Sequence, residues 1–347
     1  MLFLLLLVGV QIGPPAADTP NRQPQMAARG TNVGLVYGAG NSIYCAGSSD
    51  SGRTFGPSAL VSSKGQLSLG MHRGPRVAFT PEAVVVSAIV GEQGKGKDGD
   101  LLAWRSADGG RTWSGPVRVN DAVGSAREGL HAMASGGKGT LFAAWLDLRM
   151  TGTRVYGASS TDGGATWSAN RMVYESPSGT VCQCCHPSVA VDGSGNIFVM
   201  FRNALDGSRD LYLTRSGDGG KTFDAAKKLG RGTWKLEACP MDGGALAIDP
   251  DGRVSTIWRR EETLFASDPE RPEKSLGSGR NPALASTRRG TYVAWSEGKA
   301  VLLRRPTPAQ SEVLAEDGGF PSIAPMVDGS VVLAWESKGA IMVRRAE

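Results

Sequence analysis

The chain is predicted to be all-β, folded as a single β-propeller of four-stranded blades. Three observations predict it. A segment of the form Ser-x-Asp-x-Gly-x-Thr-aromatic recurs four times at intervals of about 55 residues, the length of one blade. Each copy sits in the same succession of short runs with period-two alternation. Glycine is abundant, at 48 of 347 residues, as many tight turns between short strands require.

The four copies are SSDSGRTF from Ser48, SADGGRTW from Ser106, STDGGATW from Ser160 and SGDGGKTF from Ser216, with aspartates Asp50, Asp108, Asp162 and Asp218. Their chemistry is that of a hairpin turn. The Asp side chain accepts hydrogen bonds from backbone N–H groups of its own loop. Gly supplies backbone angles closed to other residues, and the aromatic residue packs between sheets. These aspartates are therefore assigned structural roles.

The first unit reads QMAARG, NVGLVYG, SIYCAGS, the repeat segment, then SALVSS. The second reads GPRVAFT, AVVVSAIV, DLLAWRS, segment, GPVRVN. The third reads HAMAS, TLFAAWLD, RVYGASS, segment, ANRMVY, and the fourth HPSVAVD, NIFVMFRN, DLYLTRS, segment, FDAAKKL. The pattern then continues without the repeat segment. GALAID, RVSTIWRR and TLFASD make a fifth unit, and NPALAS, TYVAWSEG and AVLLRRP a sixth. FPSIAPMVDG, VVLAWESKG and AIMVRRAE make a seventh that stops after three strands. Residues near the N-terminus, just after the leading apolar segment, are expected to supply the missing outer strand. The strand count gives seven blades.

The apolar run from Leu2 to Ile12 is too short to span a bilayer. With Pro15-Ala16-Ala17 behind it, it reads as a secretory signal over residues 1–17, followed by the propeller over 18–347. No other stretch is long and apolar enough to cross a membrane. The formal net charge is +5, with basic residues scattered, which argues against a nucleic-acid partner.

The repeat segments resemble the Asp-box (BNR) repeats of the sialidase-like β-propeller superfamily. The resemblance implies a propeller and an exported location. It does not by itself imply sialidase activity, because one fold serves many functions. It also implies six blades, which stands as the alternative to seven.

In such a ring the Asp boxes mark one rim. The loops leading into the inner strands, and those joining second to third strands, mark the other rim around the axial cup. A sialidase needs arginines to clamp a carboxylate, an acid/base carboxyl group and an activated tyrosine. The functional rim offers Arg76, Arg202 and Arg259 for the clamp, Asp147 as acid and Glu261 as base. The superfamily's aromatic-Arg-Ile-Pro motif is absent, the corresponding region reading NRQPQMAARG, and the last tyrosine, Tyr292, falls within a strand. The expected function is therefore binding of a glycan, small-molecule or protein ligand in the axial cup by an exported propeller without sialidase activity. A divergent exo-sialidase-type glycoside hydrolase is one alternative.

A second alternative comes from the cysteines. Cys182, Cys184 and Cys185 fall within four residues with His186 next, and Cys239 and Met241 lie at the corresponding place in the following blade. An oxidising compartment favours one or two disulfides among these cysteines, for example from Cys239 to one of the three. As thiolates, imidazole and thioether the set is a soft-metal site for copper or zinc. Cys45 stands alone on a third strand and reads as a buried thiol.

Overall fold

The computed structural model describes residues 9–14, 16, 18–137, 139–267 and 271–347. Most of the expected signal segment therefore lies outside the described residues. Among the described residues all regular secondary structure is β-strand, in seven sheets. The sheets are successive blades of one ring. The inner strands Asn21–Arg29, Arg76–Phe79, His131–Ser135, Ser188–Val191, Gly244–Ile248, Arg280–Thr287 and Gly319–Pro325 each pack on the next, and the last packs on the first. Seven blades, not six, are present.

The seventh blade takes its outer strand from the other end of the chain. Val10–Ile12 pairs antiparallel with Ala340–Ala346, setting Val10 opposite Val343 and Ile12 opposite Ile341. This closure gives the last blade its fourth strand and ties the two ends of the chain into one sheet. The closing strand lies inside the segment expected as signal, further towards the N-terminus than the sequence pattern placed it. Cleavage after Ala17 would remove it.

The second strand of each blade forms the core. Leu141–Asp147 is buried along its whole length, and Asn32–Ala39 is buried beyond its first residue. Such strands are covered on both faces, because each blade is sandwiched between two others, so they read as continuous apolar runs. Trp145, Trp258, Trp295 and Trp335 occupy corresponding positions in four of them and are all buried. Cys45 is buried between the first two blades, and desolvation pushes its thiol up to about 12.

Each Asp box is one repeated hydrogen-bond cage. The Ser48 hydroxyl donates to Asp50 Oδ1 at 2.8 Å and accepts from the Gly52 N–H at 2.9 Å. The N–H groups of Arg53 and Thr54 converge on Asp50 Oδ1, and the Thr54 hydroxyl donates to Oδ2 at 2.6 Å. Asp108, Asp162 and Asp218 repeat the arrangement. The aromatic residue ties the turn to a neighbouring sheet: Phe223 lies 5.8 Å from Phe142 of the preceding blade.

These cages shift titration. The Thr54, Thr112 and Thr222 hydroxyls, then the backbone N–H groups, hold Asp50, Asp108 and Asp218 well below the usual carboxylate range. Against an opposing pull from desolvation, the bonds from Thr166 and Ser160 hold Asp162 at about 2. A carboxyl group depressed in the folded state stabilises it above the unfolded value of about 3.9, and that contribution is lost as pH falls through the folded value. Melting temperature is therefore expected to fall between about pH 4 and pH 2, and Asp162→Asn is expected to flatten that fall. Thermal scans across this range test it; a slope unchanged by the substitution would refute it.

Candidate functional site

The lead-in to each inner strand sets the axial cup. Gln23, His72, Met241, Asn281 and Phe320 all have left-handed backbone angles, with φ between 50° and 67°. In blades one, six and seven this coincides with a register shift at the start of the inner pair. A proline follows Gln23, His186, Asn281 and Phe320. The irregularity takes these residues off the strand's regular alternation, and Gln23, His72, His186, Asn281 and Phe320 all line one central cavity of about 170 Å³. Further along the inner strands its wall is apolar, built from Met26, Met133, Val189, Leu246, Leu284 and Ile323.

Two histidines dominate the polar wall. The rings of His72 and His186 stack at 4.2 Å, and Phe320 presents its ring edge-on to His72 at 5.3 Å. His72 Nε2 lies 2.9 Å from Asn281 Oδ1, so Nε2 is the protonated nitrogen of that ring. The Gly243 N–H donates to His186 Nδ1 at 3.3 Å, which leaves the proton of that ring on Nε2. Burial lowers the pKa of both, most strongly for His186, where His72 and Arg76 add to the effect. Both rings are therefore neutral at pH 7.

Of the predicted catalytic set, only Arg76 lines this cavity. Its guanidinium donates to the carbonyls of Gly74, Pro75 and His72, fastening the loop that carries His72, and burial lowers it to about 10. Arg202 is buried and donates to the carbonyls of Asp242, Gly243, Arg209 and Arg259. Arg259 pairs with Asp242 at 2.9 Å and donates to the carbonyls of Pro240 and Glu261. Arg202 and Arg259 both face the ring of Trp234.

Asp147 is 1% exposed, and its carboxylate is filled by Ser125, Trp145 and Arg149. Glu261 occupies the turn between Val254–Arg260 and Thr263–Ser267, with φ of 57° and an exposed side chain. The structure thus brings Arg202 and Arg259 together and keeps Asp147 and Glu261 out of the cavity wall. His131, the third histidine, is buried with Nε2 3.0 Å from the Ser87 hydroxyl and does not line the cup.

Gln23, Asn281 and Phe320 were not singled out from the sequence. The signal that marks them is the residue before proline at the start of successive inner strands: Gln23-Pro24, His186-Pro187, Asn281-Pro282 and Phe320-Pro321.

The cysteines form a second cluster beside the cup. Cys182 Sγ lies 3.3 Å from Cys185 Sγ and 3.7 Å from Cys184 Sγ, and all three are buried and unlinked. Met241 packs on them, and the exposed Cys239 interacts with Cys184. The Cys184 thiol beside it pushes Cys182 up to about 12, and burial does the same to Cys185. His186 turns the other way, into the cup, so it is not a member of the sulfur cluster.

A ring of four-stranded blades with Asp-box turns and an axial cup defines a BNR-type propeller. Residues 42–257, well over half of the chain, match the BNR repeat-like domain, and the chain belongs to that family. Among solved structures it is similar to the Hadza microbial sialidase Hz136, at 16% identity over 90% of this chain and 73% of that one, with a TM-score of 0.54. It is similar to the α-L-arabinanase of Penicillium chrysogenum complexed with arabinobiose, at 16% identity over 97% of both chains, with a TM-score of 0.58. A third neighbour is a catalytically inactive histidine-to-alanine variant of virginiamycin B lyase from Staphylococcus aureus, at 10% identity over 97% of this chain and 98% of that one, with a TM-score of 0.57. At these identities the likeness shows the fold alone. No curated protein matches the chain.

Proposed function

We propose that this propeller is exported and binds a glycan by one terminal unit in the axial cup, without sialidase chemistry. The observation that carries this reading is the cup's lining. It offers neutral hydrogen-bonding groups from Gln23, Asn281, His72 and His186, and a ring from Phe320, but no carboxylate among the described residues. Neutral amides and imidazoles suit sugar hydroxyls, and an aromatic ring suits the apolar face of a sugar. The volume of about 170 Å³ is below the roughly 300–1,000 Å³ of pockets that enclose whole small ligands, which favours a chain end.

Against sialidase chemistry stand four occupied side chains. The Asp147 carboxylate is filled, the donors of Arg202 and Arg259 go to protein acceptors, and the Tyr292 hydroxyl lies on the Gly329 carbonyl within the core. Export rests on the apolar segment that begins at Leu2, with the closing strand Val10–Ile12 retained in the folded ring.

Glycan-array screening followed by calorimetry tests the reading. One class of glycan is expected to bind, and Asn281→Ala is expected to weaken it at least tenfold, about 1.4 kcal/mol. A fluorogenic sialoside is expected to show no turnover. Binding of no glycan would overturn the ligand class, and turnover of the sialoside would overturn the non-sialidase reading.

A second reading is catalytic. Two neutral histidines in contact within one cavity are a proton donor and acceptor at neutral pH, and a propeller neighbour is inactive as a histidine-to-alanine variant. Cleavage of a polysaccharide that is lost in His186→Ala would replace binding with catalysis.

A further inference from the structure

We propose that Cys182, Cys184 and Cys185, with Met241, form a binding site for monovalent copper beside the cup. The inference stands independently of what the cup binds.

Sulfurs around one metal with Zn–S-like bonds of about 2.3 Å lie about 3.8 Å apart in a tetrahedral set. The Cys182–Cys184 and Cys182–Cys185 separations of 3.7 and 3.3 Å are of that size, and the three sulfurs all lie within 4.8 Å of one another. The sulfurs therefore converge before any ion is present.

The donor set selects the metal. All three cysteines are buried, Met241 packs against them, and His186 lines the cup instead. Three thiolates suit both zinc and Cu(I), and a thioether, which is not among zinc's usual Cys, His, Asp and Glu ligands, tips the set towards Cu(I). Exposed Cys239, which interacts with Cys184, gives the ion a sulfur to meet at the surface.

Arg202 is 1% exposed, and its guanidinium donates to four backbone carbonyls. No carboxylate among the described residues pairs with it, since the adjacent Asp242 is matched to Arg259. An unpaired buried cation is costly, and Arg202 acts electrostatically on Cys185. Copper(I) held by two or more thiolates is an anionic complex, and Arg202 is the cation placed to balance it. On binding, each thiol that becomes a ligand releases its proton to solvent, and no electron is transferred.

The two loops are also held in place before binding. The Cys182 N–H donates to the Arg202 carbonyl, and the same Arg202 side chain grips the carbonyls of Asp242 and Gly243 next to Met241. A site fixed in this way loses little entropy on taking up an ion.

The test is an anaerobic titration of the reduced full chain with Cu(I) against a chromophoric chelator, with a parallel titration with Zn²⁺. One Cu(I) per chain is expected, with sulfur-only coordination by X-ray absorption. Cys182→Ser with Cys185→Ser is expected to lower affinity at least a hundredfold. Met241→Leu, which keeps the packing volume, is expected to weaken Cu(I) about tenfold while the chain keeps its melting temperature. The proposal is overturned if the wild-type chain takes up no Cu(I). It is overturned equally if Zn²⁺ at equal concentration displaces Cu(I), or if Met241→Leu and the double variant bind as the wild type does.

Discussion

Replacing Asp147 by Ala is expected to cost about 3–5 kcal/mol of folding stability, the range found when one partner of a buried ion pair is removed. Its Oδ1 accepts from the Arg149 N–H and Nε, and its Oδ2 from Ser125 Oγ, Trp145 Nε1 and Arg149 Nη2, all between 2.8 and 2.9 Å. Arg149 carries the network outward to Asp121 and Asn170 and lies over the Tyr156 ring. The substitution would strand the indole N–H of the fully buried Trp145 and leave Arg149 half-paired at the edge of the core. Asn in place of Asp keeps the volume, but it turns an N–H₂ towards a donor, so it is expected to recover only part of the loss. Urea unfolding checks this. A loss below about 1 kcal/mol would show that the carboxylate is free for other work and would restore it as a candidate acid.

What the sequence disclosed follows from what is periodic. Blade number, strand order and the fate of the four box aspartates depend on alternation and turn chemistry, which are local and repeated, so they were legible. The approach of Cys182, Cys184 and Cys185 was legible because they share one short loop, whereas His186, expected to join them, lines the cup instead. The cup was only half legible. His72 and His186 stood out by rarity, whereas Gln23, Asn281 and Phe320 owe their inward direction to a left-handed residue at a register shift. A single bulge reverses which way a side chain points, and no count of polar residues reveals it. The arginines show the opposite difficulty. Their residue type and rim position are visible, but a guanidinium that clamps a substrate and one that braces carbonyls look identical in sequence.

Arg202 makes that distinction measurable. It sits at the end of the second strand of blade four, Ile197–Arg202, and three of its four acceptors, the carbonyls of Asp242, Gly243 and Arg259, belong to blade five. Arg202→Met fills similar space but removes every donor. Each buried carbonyl deprived of a partner costs about 1–3 kcal/mol, so the sum is expected to reach about 4 kcal/mol or more, enough to separate the two blades at their cup-side corner. Arg202→Lys keeps the charge but loses the planar fork, and a single ammonium cannot reach carbonyls on both sides of the blade junction. It is expected to fall between wild type and Met in urea unfolding. A clamp whose donors were destined for a ligand would give the reverse pattern: ligand affinity would collapse in both variants while stability stayed within about 0.5 kcal/mol of wild type. The two outcomes do not overlap, so one pair of substitutions decides whether this arginine binds substrate or holds the propeller's fourth and fifth blades in register.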